Sequence, residues 1–267
     1  METYPSTDER SQEAALLACA GVHLGYPVHG GWLPVVHGID LAIQKGETMA
    51  LVGESGSGKS TLAKALVKLI PVMRGSIRYA GEEVGPLNRR NFTPYRKRIQ
   101  MIFQDPWQAL NPRVRIGDLL AEPLRLHFPK IAGPDRKKRI AELLEAVHLP
   151  RESGQRFASE FSGGQRQRIL IARALAVEPE LLICDEPLSA LDVSTQARLL
   201  NLLRELKEDR DLTLLFISHD LAVVQEIADN VLVMQAGRAV ERQRTEELFT
   251  RPRHEYTKAL LEASPKW

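Results

Sequence analysis

Apolar runs with strand character alternate with helix-spaced runs along most of this chain. AALLACAGVHLGY (14–26) reads as a strand, followed by a loop rich in Gly, Pro and His at 27–34, and VVHGIDLAIQKGE then predicts a strand pair with a Lys-Gly turn. TMALVG (48–53) is a short apolar run that closes in a glycine loop, and KSTLAKALVKLI after it carries Leu62, Leu66 and Leu69 at helical spacing. Gly75-Ser76 opens another strand pair, SIRYAGEEV, with a glycine turn. RIQMIFQ (98–104) predicts a further strand, broken by the two prolines of DPWQALNP.

From there to about residue 160 the pattern turns helical. RIGDLLAEPLRL and DRKKRIAELLEAVHL predict helices, the second with Ile140, Leu143, Leu144 and Val147 on one face. A helix then follows SGGQ. Strand LLICD, helix TQARLLNLLRELKED, strand LTLLFIS, helix LAVVQEIADN and strand VLVMQAG complete the alternation. Strands alternating with helices imply an α/β fold with a mostly parallel sheet and right-handed crossovers. The stretch from about 105 to 167 reads as a helical subdomain inserted in that core.

Composition narrows the class. With 43% hydrophobic and 26% charged residues over 267 positions, the sequence suits a globular protein of one large domain, or one domain with a smaller insert. A net charge of +2, from 36 basic against 34 acidic residues, gives no electrostatic reason to propose a nucleic acid partner. Basic clusters at Arg96–Arg98 and Arg136–Arg139 read as solvated faces. Cys19 and Cys184, far apart and without a second pair, argue against a disulfide framework or a cysteine metal site, and for two buried thiols. Residues 1–13 are polar and acidic, unlike a secretory signal, and read as a disordered leader. No run of about 18 apolar residues occurs, so no membrane-spanning helix is expected and the chain reads as cytosolic.

Candidate chemistry concentrates in two places. GESGSGKST (53–61) fits G-x-x-x-x-G-K-[ST] and sits between an apolar strand and a helix, where a phosphate cradle belongs. Its glycines, Gly53, Gly56 and Gly58, let the backbone wrap close to an anion, with Ser55 and Ser57 between them. Lys59 can reach the β- and γ-phosphates, Ser60 can ligate Mg²⁺, and Thr61 adds a phosphate contact. Alone, this motif specifies only a nucleoside triphosphate. LLICDEP (181–187) is an apolar strand ending in two adjacent carboxylates. Asp185 is expected to hold Mg²⁺, and Glu186 to act as general base or water-positioning group at the γ-phosphate.

Between these motifs lies FSGGQRQR (161–168), and here the chain resembles the ABC ATPase family, whose signature is LSGGQ followed by basic residues. Ser162, Gly163, Gly164 and Gln165 match; Phe161 stands where Leu is usual, a mild exchange at a packing position. The resemblance runs from about 14 to 263 and implies a P-loop NTPase core with an antiparallel β subdomain and the inserted helical subdomain, an ABC ATPase domain over 14–245 and a C-terminal extension over 246–267. It implies that this signature face closes on ATP held by a second cassette. It also implies roles for Gln104 as the Q-loop glutamine sensing Mg²⁺ and the attacking water, and for Asp192 of SALD (189–192) at the dimer seam. His219 takes the place of the switch histidine at the γ-phosphate, and Tyr26 that of the aromatic stacked on adenine.

Two segments point to a branch. FQDPWQALNPR (103–113) resembles FQDP-x-x-SLNPR of the oligopeptide, dipeptide and nickel uptake systems, with Ala109 for Ser, and places Trp107 near a docking surface. RPRHEYTKALLEASP (251–265) resembles that branch's C-terminal segment, with Glu255 for Pro; no cysteines come after it, so no iron–sulfur cluster is expected. The resemblance implies an ATPase subunit at the cytoplasmic face of a membrane importer, using ATP and Mg²⁺. Its implied partners are two permease subunits, a second ATPase chain (a heterodimer, with this chain the shorter type, in preference to a homodimer) and an extracytoplasmic solute-binding protein. Alternatives are a soluble ABC ATPase acting on nucleic acid or ribosomes, whose coiled-coil, zinc or double-cassette features are missing, and an exporter subunit. An ATPase subunit does not touch the solute, so the cargo stays open.

Overall fold

The computed structural model describes residues 14–105, 109–189 and 191–263. The leader expected at 1–13, Trp107, Ala190 of the SALD segment and the last residues of the C-terminal segment lie outside the described residues. The chain forms two compact units, one made of residues through Arg96 and from Leu212 onward, the other of Lys97–Asp211.

In the first unit, β1 (Leu17–Val28) and β2 (Gly31–Ile43) form one long antiparallel hairpin, paired from Leu17↔Ile43 to Val28↔Gly31. The loop expected at 27–34 is therefore mostly strand, and the reversal falls on His29 and Gly30, the latter at φ +90°. Pro34 is tolerated there because β2 is an edge strand in the order β2-β1-β4-β5, where a missing N–H disrupts no central ladder. The Lys45-Gly46 turn is present, but the next strand, β3 (Thr48–Val52), pairs in parallel with β8 (Thr213–Ile217) and β9 (Asn230–Gln235) instead of folding back on β2. β4 (Val72–Tyr79) begins earlier than the Gly75-Ser76 start and meets the two-residue β5 (Glu82–Glu83) across the expected glycine turn.

Every residue of β3 and of β8 is buried, as parallel strands covered on both faces require, and this is why both read as unbroken apolar runs. β10 (Arg238–Arg244) pairs antiparallel with β9. Helix α1 (Lys59–Leu66) comes after β3 and stops short of Leu69, which is 49% exposed. Lys68 adopts φ +62°, and the amides of Lys68 and Leu69 bond to the carbonyls of Ala65 and Lys64, a Schellman closure that the apolar spacing did not reveal. α2 (Thr93–Arg98) runs to where the first unit gives way to the second.

In the second unit, β6 (Ile99–Ile102) pairs in parallel with β7 (Leu181–Asp185). Arg98 and Glu180 join the two strand starts through a bidentate ion pair at 2.7 and 2.9 Å. The helices are α3 (Ile116–His127), α4 (Gly133–Ala146), α5 (Gly163–Leu175) and α6 (Val193–Arg210). Leu143, Leu144 and Val147 of the expected apolar face are buried. From the first turn of α5, the buried Arg166 guanidinium donates back to the carbonyls of Ala158 (2.9 Å) and Ser159 (3.0 Å), fixing the turn that leads into the helix.

Candidate nucleotide site

The first unit carries the phosphate loop. β3 delivers the chain into Gly53–Gly58, where Gly53, Gly56 and Gly58 hold φ of +143°, +81° and +101°. A Cβ on Gly53 would lie 2.1 Å from the Met234 carbonyl oxygen, so the position admits only glycine. Lys59, 4% exposed, is folded into the loop: its Nζ donates to the carbonyls of Gly53 (2.7 Å) and Glu54 (2.8 Å) and to Ser57 Oγ (3.3 Å). Two ties from elsewhere in the unit hold the loop, the Gly237 amide donating to the Ser57 carbonyl (3.0 Å) and the Glu54 amide to Tyr256 Oη (2.9 Å).

Ser55 and Gly56 are exposed, Ser60 is half-buried at the second position of α1, and Thr61 is buried. A buried cation, close-wrapped glycine backbone and a helix N-terminus at one loop form a cradle suited to phosphate. Tyr26, near the far end of β1, is 38% exposed, with its hydroxyl 3.2 Å from Thr61 Oγ1. His219 is exposed, directly after β8 and before Asp220, which caps α7 (Leu221–Ile227) through the Ala222 and Val223 amides.

The second unit carries the acidic and signature residues. Asp185, 3% exposed, ends β7, and Glu186 next to it is half-buried at φ +46°, a left-handed conformation that is costly for a residue with a Cβ. Gln104, two residues beyond β6, donates from Nε2 to Glu186 Oε2 at 2.9 Å. The two were predicted separately, and the β6–β7 pairing brings them together. Cys184 is buried, and burial, with the Asp185 charge second, pushes its thiol up to about 12; Cys19 is buried and likewise free.

Ser162 caps α5, accepting from the Gln165 amide (3.4 Å) while the Gln165 side chain accepts from the Ser162 amide (3.0 Å). This capping box accounts for the two residues as a helix start, apart from any ligand. A Cβ on Gly164 would sit 2.3 Å from Thr195 Cγ2, whereas one on Gly163 would meet only Leu191 Cδ2 at 3.6 Å. Phe161 is buried, consistent with a packing role. Asp192 caps α6, accepting from Ser194 Oγ (2.7 Å), Thr195 Oγ1 (2.8 Å) and the Thr195 amide (3.0 Å), and these bonds hold its carboxyl down to about 2.

Among the described residues, no group of three or more His, Cys, Asp or Glu side chains could hold a metal by itself. Mg²⁺ needs no such cage, since it takes one or two protein oxygens and completes its shell with phosphate oxygens and water. The Ser60 hydroxyl in the first unit, and the Asp185 carboxylate and the Gln104 side-chain oxygen in the second, are each hard donors of that kind. Sequence reasoning missed Tyr256 and Gly237 as partners of the phosphate loop, because nothing local in their segments points to a loop some two hundred positions away.

The family profile described as "ABC transporter" matches residues 36–189. The chain is 47% identical to the oligopeptide transport ATP-binding protein OppF of Lactococcus lactis subsp. lactis, across 90% of this chain and 77% of the relative. It is 48% identical to OppF of Bacillus subtilis, across 88% and 77%, and 46% identical to a putative peptide import ATP-binding protein of Brucella ovis, across 95% and 80%. Among solved structures, it is similar to the ATP-binding cassette MJ0796 in a dimeric post-hydrolysis state bound to ADP and Pi (TM-score 0.78, 26% identity, 86% of this chain and 98% of that one). It is similar also to cbiO1 of Clostridium perfringens, part of the ABC transporter complex cbiONQ (TM-score 0.79, 27% identity, 90% and 92%).

Proposed function

The chain belongs to the ABC transporter family, and we propose that it is the ATP-hydrolysing subunit of a membrane importer for peptides or a related small solute. The single observation that carries the transport reading is its likeness, 46–48% identical along 88–95% of the chain, to relatives named for oligopeptide or peptide import. The same likeness favours import over an exporter or a soluble ATPase acting on nucleic acid or ribosomes.

In this reading Lys59 exchanges its loop carbonyls for β- and γ-phosphate oxygens, the glycine backbone and the α1 N-terminus neutralise phosphate charge, and Tyr26 stacks on adenine. Ser60, Asp185 and Gln104 would hold Mg²⁺, which would supply charge neutralisation at the transferring phosphoryl group. Glu186 orients the attacking water and takes its proton, with the Gln104 amide keeping the carboxylate in place. His219 contacts the γ-phosphate. Ser162, Gly163, Gly164 and Gln165 cap the nucleotide bound to a second cassette, with Asp192 at the seam between the two. ATP must favour the closed pair by several kcal/mol to drive a conformational cycle.

No helix among the described residues is long and apolar enough to cross a membrane. From its likeness to peptide-import ATP-binding proteins we read the chain as a peripheral subunit at the cytoplasmic face, docked through its inserted helical subdomain (about 105–167) on two permease subunits. It pairs with a second ATPase, a different chain rather than a copy, in a system served by an extracytoplasmic solute-binding protein. Replacing Glu186 with Gln tests the chemistry: ATP binding is retained and turnover falls by about a hundredfold or more, the range a positioned proton acceptor supplies. Hydrolysis at the wild-type rate would remove Glu186 as the base.

A further inference from the structure

We infer that Tyr256 is a positioning residue for the phosphate loop, and that the C-terminal segment 251–262 is the clamp that holds it there. This rests on the reading of the loop as an ATP site and assigns a task to a segment which that reading leaves without one. Tyr256 lies at the start of α9 (Glu255–Glu262) and accepts a hydrogen bond from the Glu54 amide across 202 positions of sequence. Glu54 is exposed and sits between Gly53 and Gly56, both at positive φ, where glycine leaves the flanking backbone conformationally permissive. Its carbonyl accepts from Lys59 Nζ at 2.8 Å and from the Ser57 amide at 3.2 Å, and its amide donates to Tyr256 Oη at 2.9 Å. When Lys59 moves its donors to phosphate, its tie to Glu54 is given up, while the Ser57 turn bond inside the loop and the Tyr256 bond from outside it stay. The Tyr256 bond then keeps this part of the loop in register while nucleotide is bound.

The hydroxyl is itself held in place from several directions. The Tyr256 ring packs on the core that includes Ala50, Val52, Val224 and Leu248. The Tyr256 amide donates to His254 Nδ1 at 3.2 Å, the cap of α9. One residue further back, the Glu241 carboxylate on β10 accepts from the amides of Arg253 (2.8 Å) and His254 (3.0 Å). Glu241 is 2% exposed. Burial works to raise its carboxyl, yet the bonds it accepts from these amides and from Gln243, with Thr257 adjacent, hold it below the ordinary carboxylate value. A buried acid that gathers the amides of a turn is a seat for that turn. The path is continuous: β10 fixes the turn, the turn fixes α9, and the first turn of α9 fixes the loop. A preformed loop spends less of the nucleotide's binding energy on ordering itself.

The test is Tyr256→Phe in the full chain, which keeps the ring and removes the acceptor. Titration with a fluorescent ATP analogue should show Kd raised about fivefold, the worth of one hydrogen bond, with KM for ATP raised alike, kcat within about twofold and the melting temperature unchanged. Glu241→Gln, which loosens the seat, should raise Kd in the same direction and also lower the melting temperature. Wild-type Kd and KM in Tyr256→Phe would overturn the inference while leaving the ATPase reading intact. So would a fall in kcat or in melting temperature at unchanged KM. A wild-type chain that neither binds nor hydrolyses ATP would overturn both.

Discussion

Gly163 and Gly164 stand side by side at the start of α5, yet a methyl group would meet different surroundings at each. At Gly164 it would collide with Thr195, so Gly164→Ala should destabilise the chain by about 1–3 kcal/mol, the usual cost of overpacking a filled contact. At Gly163 it would find ordinary van der Waals distance, and Gly163→Ala should leave stability within about 0.5 kcal/mol. If the signature face closes on nucleotide, Gly163→Ala should nonetheless lower ATP-dependent pairing and turnover, since the methyl occupies the approach to the backbone. Thermal melts and ATPase assays on the two variants separate the roles; equal melting temperatures would contradict the packing argument. At this scale Lys59, Asp185, Glu186 and Gln104 were legible because each belongs to a motif whose chemistry requires it. The sequence held no trace of the Gln104–Glu186 bond or of the left-handed backbone at Glu186, which depend on β6 lying beside β7.

At the scale of elements, strand and helix identities were readable wherever burial is complete, as in β3, β7 and β8. They were not readable where geometry overrides composition. The Gly-, Pro- and His-containing stretch 27–34 is strand because a two-residue turn closes the hairpin, and α1 ends early because Lys68 takes a left-handed conformation. β10 and α8 (Thr245–Thr250) are short, and with α9 they pack on the first unit's core, contacts that the local sequence does not announce. Asp192, the cap of α6, gives this scale its pH dependence. Its folded carboxyl titrates at about 2, below the ordinary value near 3.9. A carboxyl depressed on folding stabilises above its unfolded pKa, and that contribution fades as pH falls from about 4 toward 2. The melting temperature of wild type should therefore exceed that of Asp192→Asn at pH 7, and the gap should close as pH approaches about 2. A gap that does not change with pH would rule out the charge-based cap.

For the whole molecule, the alternation of strands and helices was enough to predict an α/β fold, and the order of short motifs along the chain was enough to point to the family. Partners and cargo are a different matter, because the residues that would specify them belong to other chains. The central claim is that this chain powers a membrane transporter. Its most direct test is affinity purification of the tagged full-length chain from its own cells in mild detergent, with mass spectrometry of the proteins that co-elute. Two multi-span membrane proteins together with a second ATP-binding subunit are expected to co-elute. Ribosomal or DNA-associated partners without membrane proteins would contradict it, while leaving the ATP chemistry of Lys59, Asp185 and Glu186 to be judged on its own.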